Sequence, residues 1–127
     1  MRTFLLLALA ALVALPAGCQ RPRSVLAGGK PVRHWVEALR SGEARTRRQA
    51  ALKLGNVGAG EPAVLPALLG ALNDPDAGVR RAAILALLKC GPAARHGEPA
   101  LAELGRRDPD PGVRACAEQA LEKLRGG

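Results

Sequence analysis

Apolar residues recur along this chain at the spacing of one helix face, and three stretches carry almost the same pattern. They are Thr46-Arg47-Arg48-Gln49-Ala50-Ala51-Leu52-Lys53-Leu54, Val79-Arg80-Arg81-Ala82-Ala83-Ile84-Leu85-Ala86-Leu87 and Val113-Arg114-Ala115-Cys116-Ala117-Glu118-Gln119-Ala120-Leu121, set 33 and then 34 residues apart. Counted from the first residue of each, offsets 0, 4, 8 and 11 form one stripe: Thr46, Ala50, Leu54 and Val57; Val79, Ala83, Leu87 and Cys90; Val113, Ala117, Leu121 and Leu124. That periodicity predicts an amphipathic helix in each copy. Alanine at offset 4 every time predicts close approach of a neighbouring helix. A second, preceding helix is predicted from Val32, Trp35, Val36 and Leu39, then from Val64, Leu65, Leu68, Leu69 and Leu72, and more weakly from Leu101 and Leu104.

Punctuation supports the pairing. Asp74-Pro75-Asp76 and Asp108-Pro109-Asp110-Pro111 stand before the repeated helices, where an Asp can accept from free backbone N–H groups and a proline suits the first turn. Pro31, Pro62 and Pro99 open the preceding helices, and Gly55 or Gly58, Gly91 and Gly126 close the repeated ones. Self-similarity at such a period means one helical pair stacked on copies of itself. The expected fold is all-α, with repeats over about 31–58, 62–91 and 97–125 inside a domain spanning 31–127.

Paired helices with Asp-Pro-Asp before the second resemble the HEAT family of α-solenoids, in which helix pairs stack into an α-α superhelix. The resemblance implies a ladder of bonds between neighbouring repeats, made by an Asp and an Arg six residues later. Asp74 with Arg80 and Asp108 with Arg114 match both members. The first repeat has Arg47 but Ser41 where the Asp would stand, which leaves its link incomplete on this pattern. The last helix carries Glu118, Gln119, Glu122, Lys123 and Arg125 off its stripe, as a polar terminal face requires.

The first thirty residues read differently. Met1-Arg2-Thr3 precedes an unbroken apolar run from Phe4 to Leu15. As a helix that run spans about 18 Å, short of the roughly 30 Å of hydrocarbon in a bilayer, so residues 1–18 are expected to be a signal peptide. Leu15-Pro16-Ala17-Gly18-Cys19 resembles a bacterial lipobox, although Pro16 stands where that motif favours Leu. The resemblance implies cleavage before Cys19, lipidation of its thiol and acylation of the new amino terminus, palmitate being one such acyl group. Gln20 in the next position implies the outer membrane, facing the periplasm, as the destination in the cell envelope. The alternative is an ordinary secretory signal cut at Ala17 or Gly18. Residues 19–30, with Gly28-Gly29 and several cations, read as a tether.

Charge narrows the partners. The chain holds 19 Lys and Arg against 11 Asp and Glu, a net charge of +8. Such a balance suits nucleic acid, anionic lipid or an acidic protein. Export excludes the genome, so no nucleic-acid partner is expected. Arg45, Arg48 and Arg81 lack a place in the ladder, whereas Arg47, Arg80 and Arg114 have one. The first three, with Trp35 as the chain's one tryptophan, are the candidate partner-binding residues. Cys90 sits on the stripe as a small buried hydrophobe, and it and Cys116 are expected too far apart to bridge.

No catalytic constellation emerges. His34 and His96 lie in different repeats without ligand-spaced companions, Ser24 and Ser41 have no neighbouring base, and the glycine-rich 55–60 segment lacks the flanking strand and Lys-Ser of a phosphate loop. No cofactor, metal or small-molecule substrate is expected. The reading is a membrane-tethered module that binds a protein partner and catalyses nothing. Adhesion to an anionic envelope polymer or lipid through the arginines is the alternative. A lyase-type activity known among HEAT-like enzymes is a third possibility.

Overall fold

The computed structural model describes residues 25–126; the segment expected to be a signal peptide, Cys19 and the first part of the expected tether lie outside the described residues. A two-stranded antiparallel hairpin comes first, β1 (Leu26–Ala27) against β2 (Lys30–Pro31). Three helical pairs follow: α1 (Val32–Ala38) with α2 (Ala44–Val57), α3 (Val64–Ala71) with α4 (Ala77–Lys89), and α5 (Glu98–Arg107) with α6 (Pro111–Gly126). A 3₁₀ stretch, Gly91–Gly97, joins the second pair to the third. The expected all-α array of three two-helix repeats is what the chain forms.

The stripes build one continuous core. Ala50, Leu54, Val79, Ala83, Leu87, Val113 and Ala117 are fully buried, and Cys90 and Leu121 nearly so. The close approach inferred from the alanines extends to a glycine. A Cβ at Gly55 would stand 2.7 Å from both Cα and Cβ of Ala86, so α2 and α4 meet backbone to backbone there. Gly55 is therefore an interior helix residue, and Gly58, at φ +80°, ends α2. The uncertain third first helix is real, with Leu101 as its buried anchor.

One expectation needs correction, and the first helices are shorter than the second. The first helices α1 and α3 run only 7 and 8 residues, because turns through Leu39–Gly42 and Gly58–Pro62 occupy the rest of each unit. Residues 26–30, read as tether, are folded. Gly28 and Gly29 take φ +56° and +77°, the left-handed pair that a two-residue hairpin loop demands. The hairpin seats Ala27 in the core, and its carbonyl accepts from Trp35 Nε1 at 2.7 Å.

Candidate partner-binding face

The ladder runs between repeats, from each arginine forward to the next aspartate. Arg47 donates through Nε to Asp74 Oδ2 at 2.8 Å and through Nη2 to Oδ1 at 3.1 Å. Arg80 holds Asp108 in the same fork at 2.8 and 2.9 Å. The remaining nitrogen stays within its own repeat. Nη1 of Arg47, Arg80 and Arg114 donates to the carbonyl six residues back, on Ser41, Asp74 and Asp108. The first repeat's link, expected to be incomplete, is thus complete, because its carboxylate comes from repeat two. Ser41 takes over only the local turn. Its Oγ accepts from Glu43 N, as Asp74 and Asp108 accept from the N–H groups of Asp76 and Asp110.

Electrostatics follow this geometry. The hydrogen bonds that Arg47 and Arg80 donate to Asp74 and Asp108 hold both above the ordinary guanidinium value. Burial alone would push the Asp108 carboxyl up, but the Arg80 fork and the Asp110 N–H together hold it below the ordinary carboxylate value. Arg114 matches its counterparts in sequence, yet its fork meets no carboxylate among the described residues; it bonds only the Asp108 and Pro109 carbonyls.

Arg48 and Arg81 have a structural use that their spacing did not announce. Each lays its stem over a glycine opening the next repeat's second helix, Gly78 and Gly112, with Cδ 3.8 Å from where a Cβ would stand. Those glycines are needed because a Cβ would also come within 2.9 to 3.0 Å of the capping carboxylates of Asp76 and Asp110, which accept from Val79 N and Val113 N. Arg45 occupies the equivalent place in repeat one. It is exposed, so a long side chain fits. Trp35 is buried at 7% exposure and spends its N–H on Ala27, which makes it the plug of the first repeat and a poor partner anchor.

Stacked helical pairs with this forward ladder account for residues 32–122, and a family model for HEAT repeats matches that same span. The chain belongs to the HEAT-repeat family. Comparison with curated proteins and with solved structures finds no match. HEAT arrays generally mediate protein–protein interaction.

In this HEAT array the second helices of repeats one and two leave Leu52 at 39% and Leu85 at 48% exposure. They are equivalent positions, and a Lys89 Nζ to Asn56 Oδ1 bond of 2.7 Å sets the two helices side by side in that register. The resulting rows are Arg48 and Arg81, then Leu52 and Leu85, then Asn56 and Lys89. Neither α2 nor α4 contains an Asp or Glu. The two leucines were overlooked in the sequence because they sit inside apolar runs. Their signal was present: offset 6 lies off the stripe, and repeat three puts Gln119 there.

Chemistry is sparse elsewhere. Burial raises the thiols of Cys90 and Cys116 above their ordinary values, against opposing charge from Arg81 and Lys123 at the latter; both are free. Among the described residues no three His, Cys, Asp or Glu side chains gather as a metal set.

Proposed function

We propose that this protein is an envelope adaptor, lipid-anchored through Cys19, whose HEAT array binds a protein partner on the outer face of α2 and α4 and catalyses nothing itself. The observation that carries the reading is the pair of exposed leucines held between the Arg48–Arg81 row and the Asn56–Lys89 row, with no acidic residue in either helix. Apolar side chains rimmed by charge suit a protein surface, where a few buried anchors supply most of the affinity. A purely anionic polymer would leave both leucines unused, so the face favours protein over polymer. The anchor would place the array in the periplasm at the outer membrane.

The test is crosslinking in native envelopes with Leu52→Asp, Leu85→Asp and Arg45→Glu chains. Arg48 and Arg81 are avoided because they also pack on the next repeat. Loss of one captured protein in all three variants, with folding unchanged, is the expected result; undiminished capture removes this face. Anchoring is tested separately, since Cys19→Ala is expected to abolish palmitate labelling and membrane partition.

A further inference from the structure

At the first-repeat edge of the array, the hairpin, α1 and α2 line a cleft of about 500 Å³ bounded by Lys30, His34, Trp35, Thr46, Gln49 and Lys53. No Asp or Glu lines it. Lys30 and Lys53 meet no carboxylate within ion-pair distance among the described residues. The Lys30 ammonium lies 5.9 Å from the centre of the Trp35 ring, and the His34 ring stands nearly perpendicular to that ring with 4.9 Å between centres. Lys53 reaches over the hairpin loop. A Cβ at Gly28 would stand 3.0 Å from its Nζ, so the glycine gives the ammonium room.

Comparison among the repeats shows how far these positions depart from the pattern. Thr46, Gln49 and Lys53 correspond to Val79, Ala82 and Ala86 in repeat two and to Val113, Cys116 and Ala120 in repeat three. Of those six, all but Cys116 are buried. On α4 this is the side that meets α2, as the Gly55–Ala86 approach shows. On α2 it faces no described second helix, so polarity alone would be ordinary for a terminal repeat. The choice of polar groups is not ordinary. The outward face of α6 mixes Glu118 and Glu122 with Lys123 and Arg125, as solubility asks. The cleft offers two ammonium groups, a hydroxyl, an amide and an imidazole, and no acid.

We propose that this cleft is an anion site that takes a phosphate group, through the Lys30 and Lys53 ammonium groups with Thr46, Gln49 and His34 as further donors. A phosphate presents oxygens to all sides and can use donors converging from the hairpin and both helices; a carboxylate presents only two. The volume leaves room for whatever carries the phosphate. Two carriers share this chemistry, a phospholipid headgroup and a soluble phosphate ester. Val25 stands at most about 20 Å of extended chain from Cys19, so an anchored protein holds the cleft within reach of headgroups. That source rests on the anchored reading above; the cleft itself does not.

Trp35, the chain's one tryptophan, reports directly on the site. The full chain in non-ionic detergent is titrated with sodium phosphate at constant ionic strength while Trp35 emission is followed. A saturable change absent with chloride is expected, weakened about tenfold in Lys30→Gln and in Lys53→Gln, as loss of a charge-assisted bond implies. Thr46→Val, which restores the valine of the other repeats, is expected to weaken binding while leaving the unfolding midpoint unchanged or raised; it keeps the test decisive if a lysine variant misfolds. Micelles doped with phosphatidylglycerol separate the carriers. An emission change there that phosphate competes away assigns a headgroup, and a change with soluble phosphate alone assigns an ester. An equal response to phosphate and chloride, or a saturable response that survives both lysine substitutions, overturns the site.

Discussion

At the scale of single residues, two glycines inside helices have opposite reasons to be there. Gly55 lies where the Ala86 backbone presses on α2, and an added Cβ would come within 2.7 Å of it. Gly70, in α3, is exposed and has nothing within 4 Å of the place a Cβ would take. Alanine is the better helix former by up to about 1 kcal/mol at an open site, whereas forcing atoms into a packed contact costs about 1–3 kcal/mol. Gly70→Ala is therefore expected to raise the urea midpoint and Gly55→Ala to lower it. Matching signs for the two would mean that the α2–α4 contact is looser than these distances say. The residue scale also shows why Gly55 misleads as a sequence signal. Three glycines within six residues look like a helix end, and only the partner helix reveals that the first of them is a contact.

Between elements, the ladder rungs carry the argument. The Asp108 side chain is 2% exposed and takes both arms of the Arg80 fork as well as the Asp110 N–H. Asp108→Ala leaves a buried guanidinium without its counter-charge, a change that costs about 3 kcal/mol. Because the Asp108 carboxyl is held below its ordinary value in the fold, its contribution is present above the ordinary carboxylate pKa of about 4 and is lost as pH falls through the lower, folded value. Urea midpoints of the parent chain and of Asp108→Asn are expected to differ most at neutral pH and to converge on acidification. A gap that stays constant with pH would separate Asp108 from the acid response. The stripes, the caps and the Asp–Arg pairs were all legible in the sequence at this scale, since each is a periodic feature. The direction of the pairing was not. A six-residue spacing does not say which neighbour each member reaches; the guanidinium sends two nitrogens to the next repeat and keeps one at home. The hairpin was missed for a related reason, because Gly28-Gly29 beside scattered cations looks like a linker until Trp35 supplies a partner for the Ala27 carbonyl.

For the whole molecule, the forward ladder makes the two ends of the array unlike. The first repeat gives an arginine and needs no aspartate, which is why Ser41 suffices there. The third gives an aspartate, and its own arginine meets no carboxylate among the described residues. The candidate binding surfaces follow the same logic. Positions that pack between repeats in the middle of the stack are released at its edge, where Arg45, Thr46, Gln49 and Lys53 replace glycine, valine and alanine. Such departures from the repeat are readable in an aligned sequence, but their convergence on one cleft is not, since the hairpin and α1 supply its other wall. The polarity itself can be measured. Arg80 and Arg114 make the same carbonyl bonds inside their repeats, and only Arg80 adds a buried carboxylate. Arg80→Ala is thus expected to cost about 3 kcal/mol and Arg114→Ala about 1 kcal/mol, the worth of ordinary hydrogen bonds. Arg47→Ala falls between them, because its rung to Asp74 is less buried than that of Arg80. Denaturant unfolding of the three variants orders them directly. Equal losses at Arg80 and Arg114 would show that the arginines act inside their own repeats, and the ladder would then be a consequence of stacking and not a cause of it.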